Sequence, residues 1–307
     1  MLGVLCALAA TTGGSSVRVG VHGGYQGGRE LFGLDFDWAG GRGASRLEYP
    51  ADVPLVGATV GWHPGKFAFV VSAETNLGSP SNKMVDQDWW DPPAGGPRYP
   101  IGETYSEIDL RYVGLDAAVR HVVVGHRLLD ASLVGGLRFE WNDQSVLGAK
   151  GWIRRDDGSV SAGSIPREIE AIHYRSRYTA PFLGARIDLR PGADVEVGLE
   201  GRVLHAWSNH LDDHVLRHKT STADMRAFGA LAALDLSIGL DVLFENPFRV
   251  GVRGEALWLA RENGNLHQVF YGDDPGTKAD ETGSVYDTPF WYSYLRVRGA
   301  AYAEVRF

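Results

Sequence analysis

The sequence predicts an all-β fold: a ten-stranded antiparallel transmembrane β-barrel, with short turns at one end and long loops at the other. Three observations predict it. Apolar and polar residues alternate at a period of two along many segments, tight turns interleave with long polar stretches, and the composition is rich in glycine and aromatic residues.

Composition comes first because it is easily misread. A hydrophobic content of 44% with a mean hydropathy of −0.16 would suit a soluble chain. No run approaches the ~18 apolar residues of a membrane helix. A barrel escapes that test, since its lipid-facing side chains alternate with polar lumen ones and dilute the hydropathy. Forty glycines, nine Trp, twelve Tyr and twelve Phe in 307 residues fit a barrel with aromatic girdles. The net charge of −8 offers no basic stripe for nucleic acid.

At the start, Leu2–Ala10 is a short apolar stretch ending in Ala7-Leu8-Ala9, like a signal-peptide core with an A-x-A cleavage site, though without the positive start. Residues 1–15 are therefore expected to be a signal peptide and 16–307 one barrel domain. Cys6 is the only cysteine, so no intramolecular disulfide forms. Val4-Leu5 before it disfavours a lipoprotein site.

Four turns punctuate the rest: His63-Pro64-Gly65-Lys66, Val124-Gly125-His126-Arg127, Arg190-Pro191-Gly192-Ala193 and Glu245-Asn246-Pro247-Phe248. Pro and Gly preset the angles of a tight reversal. Between them lie five longer polar segments, 39–45, 79–103, 153–166, 209–222 and 262–288. Four turns and five loops connect ten strands. Leu234, Leu236, Ile238, Leu240 and Val242 alternate with Asp235, Ser237, Gly239 and Asp241; Val195, Val197, Leu199 and Val203 oppose Glu196, Glu200 and Arg202. Ile108, Leu110 and Tyr112 oppose Glu107, Asp109 and Arg111, and Val250, Val252, Ala256 and Trp258 oppose Arg253 and Glu255. Such alternation marks a strand with one apolar face. The chain closes on Ala301, Ala303, Val305 and Phe307, an alternating strand with a terminal Phe that resembles an outer-membrane assembly signal. A soluble lipocalin-like or sandwich fold also alternates, but ten long strands without linker or helix argue for the barrel.

Candidate chemistry follows from strand phase, since residues two apart point the same way. If Glu196, Glu200 and Arg202 face the lumen, so do Ser208, His210, Asp212 and His214. If Phe67, Phe69 and Val71 face outward, Ser72, Glu74 and Asn76 lead inward to Met84, Asp86 and Asp88. Both pairs then face one cleft at the barrel mouth. A neutral imidazole is the natural base near pH 7. Asp212 would orient His214 as the third member of a triad does, and Asp86 and Asp88 would titrate as one couple. No G-x-S-x-G elbow is present. Asp-Gln-Asp alone usually marks a solvated turn or weak calcium site. The segment His210-Leu211-Asp212-Asp213-His214 lacks the Glu that a zinc-protease helix requires after its first His, so no metal is assigned. Trp38, Trp62, Trp141, Trp207 and Trp258 suit girdle or lumen packing.

The string Met84-Val85-Asp86-Gln87-Asp88-Trp89-Trp90-Asp91 closely resembles the acidic signature of the omptins, proteases of the Gram-negative outer membrane, and Asp212-Asp213-His214 is similar to that family's Asp-x-His pair. A third similarity is Tyr174-Arg175-Ser176-Arg177-Tyr178 ahead of Pro181-Phe182-Leu183-Gly184. The resemblance runs from about Val17 to Phe307 through strand layout. It implies long extracellular loops, short periplasmic turns, and an outer-membrane endopeptidase whose site faces the extracellular side. Asp86 and Asp88 would be its carboxylate couple and Asp212 with His214 its dyad, poising a water for attack on a peptide bond. It implies peptide or protein substrates, lipopolysaccharide as partner and lipid activator with Arg177 as a phosphate contact, and no cofactor.

The chain also departs from that pattern. The two acids that receive a basic substrate side chain in the family fall at Gly28 and His210 here, which puts a dibasic preference in doubt. Glu30 and Asp213 are the nearest carboxylates, and Asp213 has the wrong strand parity. Gly28, Glu30, His210, Met84 and Trp89 are the candidate substrate contacts. The family's Tyr-x-Glu-x-Arg stretch is not evident around Phe139–Asp143. A proteolytically inactive barrel acting as adhesin or structural protein is the alternative. A porin is disfavoured, because a barrel of about this size is filled by its own side chains.

Overall fold

The alternating segments are strands, and they close on themselves. The computed structural model describes residues 15–38, 41–92, 97–155, 157–192, 194–240, 247–273 and 280–307; the expected leader lies outside them, apart from Ser15, which begins the first strand. The strands are β1 (Ser15–Trp38), β2 (Gly41–Pro50), β3 (Val53–Pro64), β4 (Phe67–Asn76), β5 (Met84–Asp91), β6 (Tyr99–His126), β7 (Leu129–Arg154), β8 (Val160–Leu189), β9 (Val195–His214), β10 (Lys219–Gly239), β11 (Phe248–Phe270) and β12 (Val285–Arg306). Among the described residues the one helical element is a 3-10 turn, Val215–Arg217, at the β9–β10 hairpin.

Twelve strands make ten staves. β3 and β2 are the lower and upper halves of one stave, pairing with successive stretches of β1. β4 and β5 form the next, both pairing with β6. Every pairing is antiparallel, and β1 meets β12 to close the ring. The last residue seals the seam: Phe307 N donates to Val17 O at 2.8 Å, and Val17 N to Phe307 O at 3.1 Å. A closed ring leaves no unpaired edge, the condition for strands in lipid.

The lower half of the wall carries an apolar outer band. Val21 and Tyr25 of β1, Phe67, Phe69 and Val71 of β4, Leu183 of β8, and Leu234, Leu236 and Ile238 of β10 all point outward and are exposed. Outward Trp62, Trp207 and Trp258 lie at its margins. Above the band the outer face turns polar, with Arg29–Glu48 at 3.0 Å and Arg175–Asp143 at 3.4 Å. The chain is a transmembrane β-barrel whose staves rise well past the lipid. β8 has 30 residues, whereas a tilted strand crosses hydrocarbon in about 9–11.

That extra height corrects two readings. The segments 79–103, 153–166 and 209–222, expected as loops, are mostly strand, while 262–288 is strand at 262–270 and 285–288 only. Beyond the membrane both faces of a strand meet water or a polar mouth, so polar composition there does not signal a loop. The alternation in β6 also changes its chemistry with height. Ile108, Leu110 and Tyr112 point inward and are buried, with Arg111 and Asp109 outside, while four residues on Leu115 and Val119 face lipid. Parity is continuous; the solvent on each side is not.

Midway up, the lumen is blocked. Arg296 donates to the Tyr112 hydroxyl at 2.9 Å and to Glu140. Glu140 also accepts from Arg138 at 2.5 Å and from the Tyr294 hydroxyl at 3.1 Å. All of these residues are buried. The layer separates an upper cleft from a lower vestibule.

Candidate active site

The upper cleft gathers side chains from staves far apart in sequence. β5 lies between β2 and β6, with Asp86 opposite Leu47 and Thr104, and Asp88 opposite Ser45 and Gly102. Leu47, Tyr49 and Met84 are almost fully buried on this inner face, so Asp86 and Asp88 project inward with them. Across the lumen, β9 presents Asp212 opposite Tyr174 of β8, and His214 opposite Lys219 of β10. His214 Nε2 lies 3.0 Å from Asp212 Oδ2. With Nε2–H donated to the carboxylate, the ring's Nδ1 carries the lone pair.

The two halves sense each other. Burial raises the proton affinity of Asp86, and the neighbouring charge of Asp88 and the more distant one of Asp212 add to it. Burial also pushes Asp88 up, opposed by Ser45, Arg217, His214 and Lys219. The Ser45 hydroxyl lies 3.4 Å from Asp86 Oδ1. Two half-buried carboxylates two residues apart on one strand face cannot both ionise freely, so the couple retains a proton at pH values where isolated acids have lost theirs. Tyr49 lies within reach of the charges of both Asp212 and Asp86 and stacks on Tyr174 at 4.2 Å. Its hydroxyl and Asp212 Oδ1 are buried atoms without a hydrogen-bond partner among the described residues. Imidazole, carboxylate couple and unsatisfied polar atoms together can bind and deprotonate a water.

Directly below sits a polar cluster that sequence phase did not foresee. Glu30 is buried and accepts from Asn142 at 2.9 Å, Tyr174 at 3.1 Å, Tyr178 at 3.1 Å and Ser176 at 3.3 Å. His210 bridges Tyr174 (2.8 Å to Nδ1) and Ser208 (2.9 Å to Nε2). Burial pushes His210 down to about 3, keeping it neutral, and lifts Glu30 to about 7 despite its hydrogen bonds. Both Glu30 oxygens are thus already engaged. His210 and His214 are four residues apart on one strand face, about 13 Å, too far to share a metal. Gly28 sits at φ +143°, where an added Cβ would lie 2.2 Å from Leu295 O, so its side-chain-free backbone has a structural reason.

The Glu30 cluster makes stability depend on pH. The unfolded chain loses this proton near 4.5 and the fold near 7, so the fold binds the extra proton between those values. Stability should fall as pH rises through that window, by about 3 kcal/mol in total, and be flat above it. Unfolding free energies at pH 5 and pH 8 should show this slope in the wild type and lose it in Glu30→Gln. An identical slope in both proteins would exclude Glu30 as its source.

Other candidates lie elsewhere. Trp89 is on the outer side of β5, with Arg46 stacked over its ring at 5.6 Å and Arg46 donating to Gln87 at 2.5 Å, so it does not line the cleft. Trp90 packs over Gly41. Met84 forms part of the inner wall beneath the couple. Asp213 points away from the dyad and accepts from Thr220 at 3.2 Å and Tyr271 at 3.1 Å. Arg177 is exposed on the outer wall, opposite Asn209 of β9 and just above the apolar band. The side chain of Trp38 lies outside the described set. Sequence reading missed Ser45, Tyr49, Tyr174 and Lys219; the alternation of Ser45, Leu47 and Tyr49 was the available signal.

No family model and no curated protein sequence matches the chain. Among solved structures, the outer membrane protease OmpT from Escherichia coli superposes with a TM-score of 0.78, covering 94% of this chain and 96% of that one at 17% identity. The barrel has the omptin fold. The translocator domain of the autotransporter NalP from Neisseria meningitidis reaches a TM-score of only 0.36 at 13% identity, over 100% of this chain and 95% of that one, and carries no weight. Fold likeness at 17% identity does not extend to activity.

Proposed function

We propose that this omptin-like barrel is an outer-membrane endopeptidase that hydrolyses peptide bonds from its upper, extracellular mouth. The observation that carries the reading is the Asp212–His214 hydrogen bond on one wall, facing the half-buried Asp86–Asp88 couple on the other. His214 takes a proton from a water held at the couple, Asp212 stabilises the imidazolium, and the water oxygen attacks the carbonyl carbon; the adduct then collapses with C–N cleavage as the imidazolium returns its proton to the leaving amine. No covalent intermediate is required. Asp86, Asp88, Asp212 and His214 are the proposed catalytic residues. OmpT is by its name an outer membrane protease, which agrees with this reading.

Substrate preference is expected to differ from a dibasic one. Gly28 and His210 stand where the family's acids would be, and Glu30 is buried with both oxygens engaged. Met84 lies beneath the couple and contributes wall, not charge. Lipopolysaccharide is the proposed partner, its phosphate met by Arg177 at the top of the lipid-facing band; guanidinium suits bidentate phosphate contact. The same absent acids favour the second reading, a proteolytically silent barrel serving adhesion.

Cleavage of an unbiased peptide library by refolded protein with lipopolysaccharide, beside His214→Ala, decides between them. Cuts made by the wild type alone support the endopeptidase and reveal its preference. A folded barrel that makes no cuts supports the adhesin.

A further inference from the structure

The upper cleft has a floor, and the floor is full. His214, Asp212 and His210 succeed one another down the inner face of β9, about 7 Å apart at each step. Level with Asp212, Tyr174 of β8 carries Tyr49 of β2 stacked on it, with ring centres 4.2 Å apart. One step lower, the His210 ring lies 4.7 Å from that of Tyr292, 5.8 Å from that of Tyr178 and 6.5 Å from that of Phe32. None of these six rings is more than 4% exposed. From the level of Asp212 downward, the protein's own side chains occupy the cleft.

This filling is locked in place. His210 Nδ1–H donates to the Tyr174 hydroxyl at 2.8 Å, that hydroxyl donates to Glu30 at 3.1 Å, and His210 Nε2 accepts from Ser208 at 2.9 Å. Displacing a ring would strand buried polar groups, and a close-packed interior offers no void to receive it. A peptide lying extended across the mouth turns successive side chains to opposite sides. Of the two residues flanking the bond under attack, one therefore faces solvent and the other faces the floor. The floor-facing side chain has to end above the Tyr49–Tyr174 pair. A lysine or arginine there is excluded twice, by its length and because Glu30 below has both oxygens engaged.

We propose, on the endopeptidase reading above, that the barrel cuts where one neighbour of the scissile bond is glycine, alanine or serine, with Tyr49 and His210 setting the limit. The other neighbour is unrestricted by the floor.

Mass-spectrometric mapping of cuts in the peptide library tests it. In the wild type, one of the two flanking positions should be confined to small residues. A peptide with alanine there should exceed its leucine counterpart in kcat/KM by about tenfold or more, since a misfit of even one methylene is worth about 10–200-fold. Tyr49→Ala should admit leucine and bring that ratio close to unity; a ratio is insensitive to any uniform loss of rate. His210→Ala should move it the same way by less, and serves if Tyr49→Ala fails to fold. Cuts that tolerate leucine, phenylalanine or arginine at both flanking positions overturn the inference and leave the endopeptidase standing. A ratio unchanged in both variants overturns the assignment to Tyr49 and His210. A folded wild-type barrel that cuts nothing overturns the endopeptidase reading and this inference with it.

Discussion

Asp212→Asn is expected to lower peptide hydrolysis by about 10⁴-fold with the barrel intact, by analogy with a triad whose orienting acid is amidated. The carboxylate now accepts from His214 Nε2 at 3.0 Å, which leaves the lone pair on Nδ1. An amide would offer N–H to Nε2 and favour the opposite tautomer, with no charge to stabilise the imidazolium. His214→Ala should lose a comparable factor, and the double variant little more, because residues that act as a unit are non-additive. The readout is kcat/KM on a peptide from the library, with circular dichroism and the electrophoretic mobility of the unheated barrel as controls of folding. An Asp212→Asn protein within about tenfold of wild type would remove the dyad from the mechanism.

The second large effect is structural. Arg296 is 1% exposed and lies 5.4 Å from the ring centres of both Tyr112 and Tyr294 while paired to Glu140. Arg296→Met strands the Glu140 carboxylate with only Arg138 and the Tyr294 hydroxyl, and Glu140→Leu strands the guanidinium. Each should cost about 3–5 kcal/mol, the usual consequence of breaking a buried pair from one side. The double variant, with neither charge, should recover much of that loss. Urea unfolding in lipid vesicles measures it. Additive losses in the double variant would mean that the two residues are not coupled. The layer also bears on the vestibule below, since its loss would open the cleft toward the short-turn end.

How much was legible beforehand follows from strand phase. Alternation placed Glu200 and Arg202 inside and Leu199 and Val203 outside, as observed. Phase also carried His214 and Asp212 to the inner face, and Asp86 and Asp88 across the break at residues 77–83. It failed where its premise lapsed. Above the lipid, polar residues occupy both faces, so residues 209–222 read as loop although they form a hairpin around a three-residue turn. Trp89, only one residue from Asp88, was assigned to the cleft by proximity, yet parity sends it outward to Arg46. Glu30 looked like an available acid because nothing local reveals that Tyr174, Tyr178, Ser176 and Asn142 surround it.

The sequence by itself determined what is periodic and local: the barrel, its ten staves, the turns at Gly65 and Gly192, and the inward phase of four candidate catalytic side chains. These depend on the two-residue repeat of a strand and on backbone angles set by neighbours. Tertiary structure alone decided which staves meet across the lumen, because that is fixed by ring closure and register between β1 and β12. It set Tyr49 between Asp212 and Asp86, sealed Glu30, and concentrated arginines from seven staves in one vestibule. Burial and the sum of neighbouring charges belong to the closed barrel, and no single strand contains them.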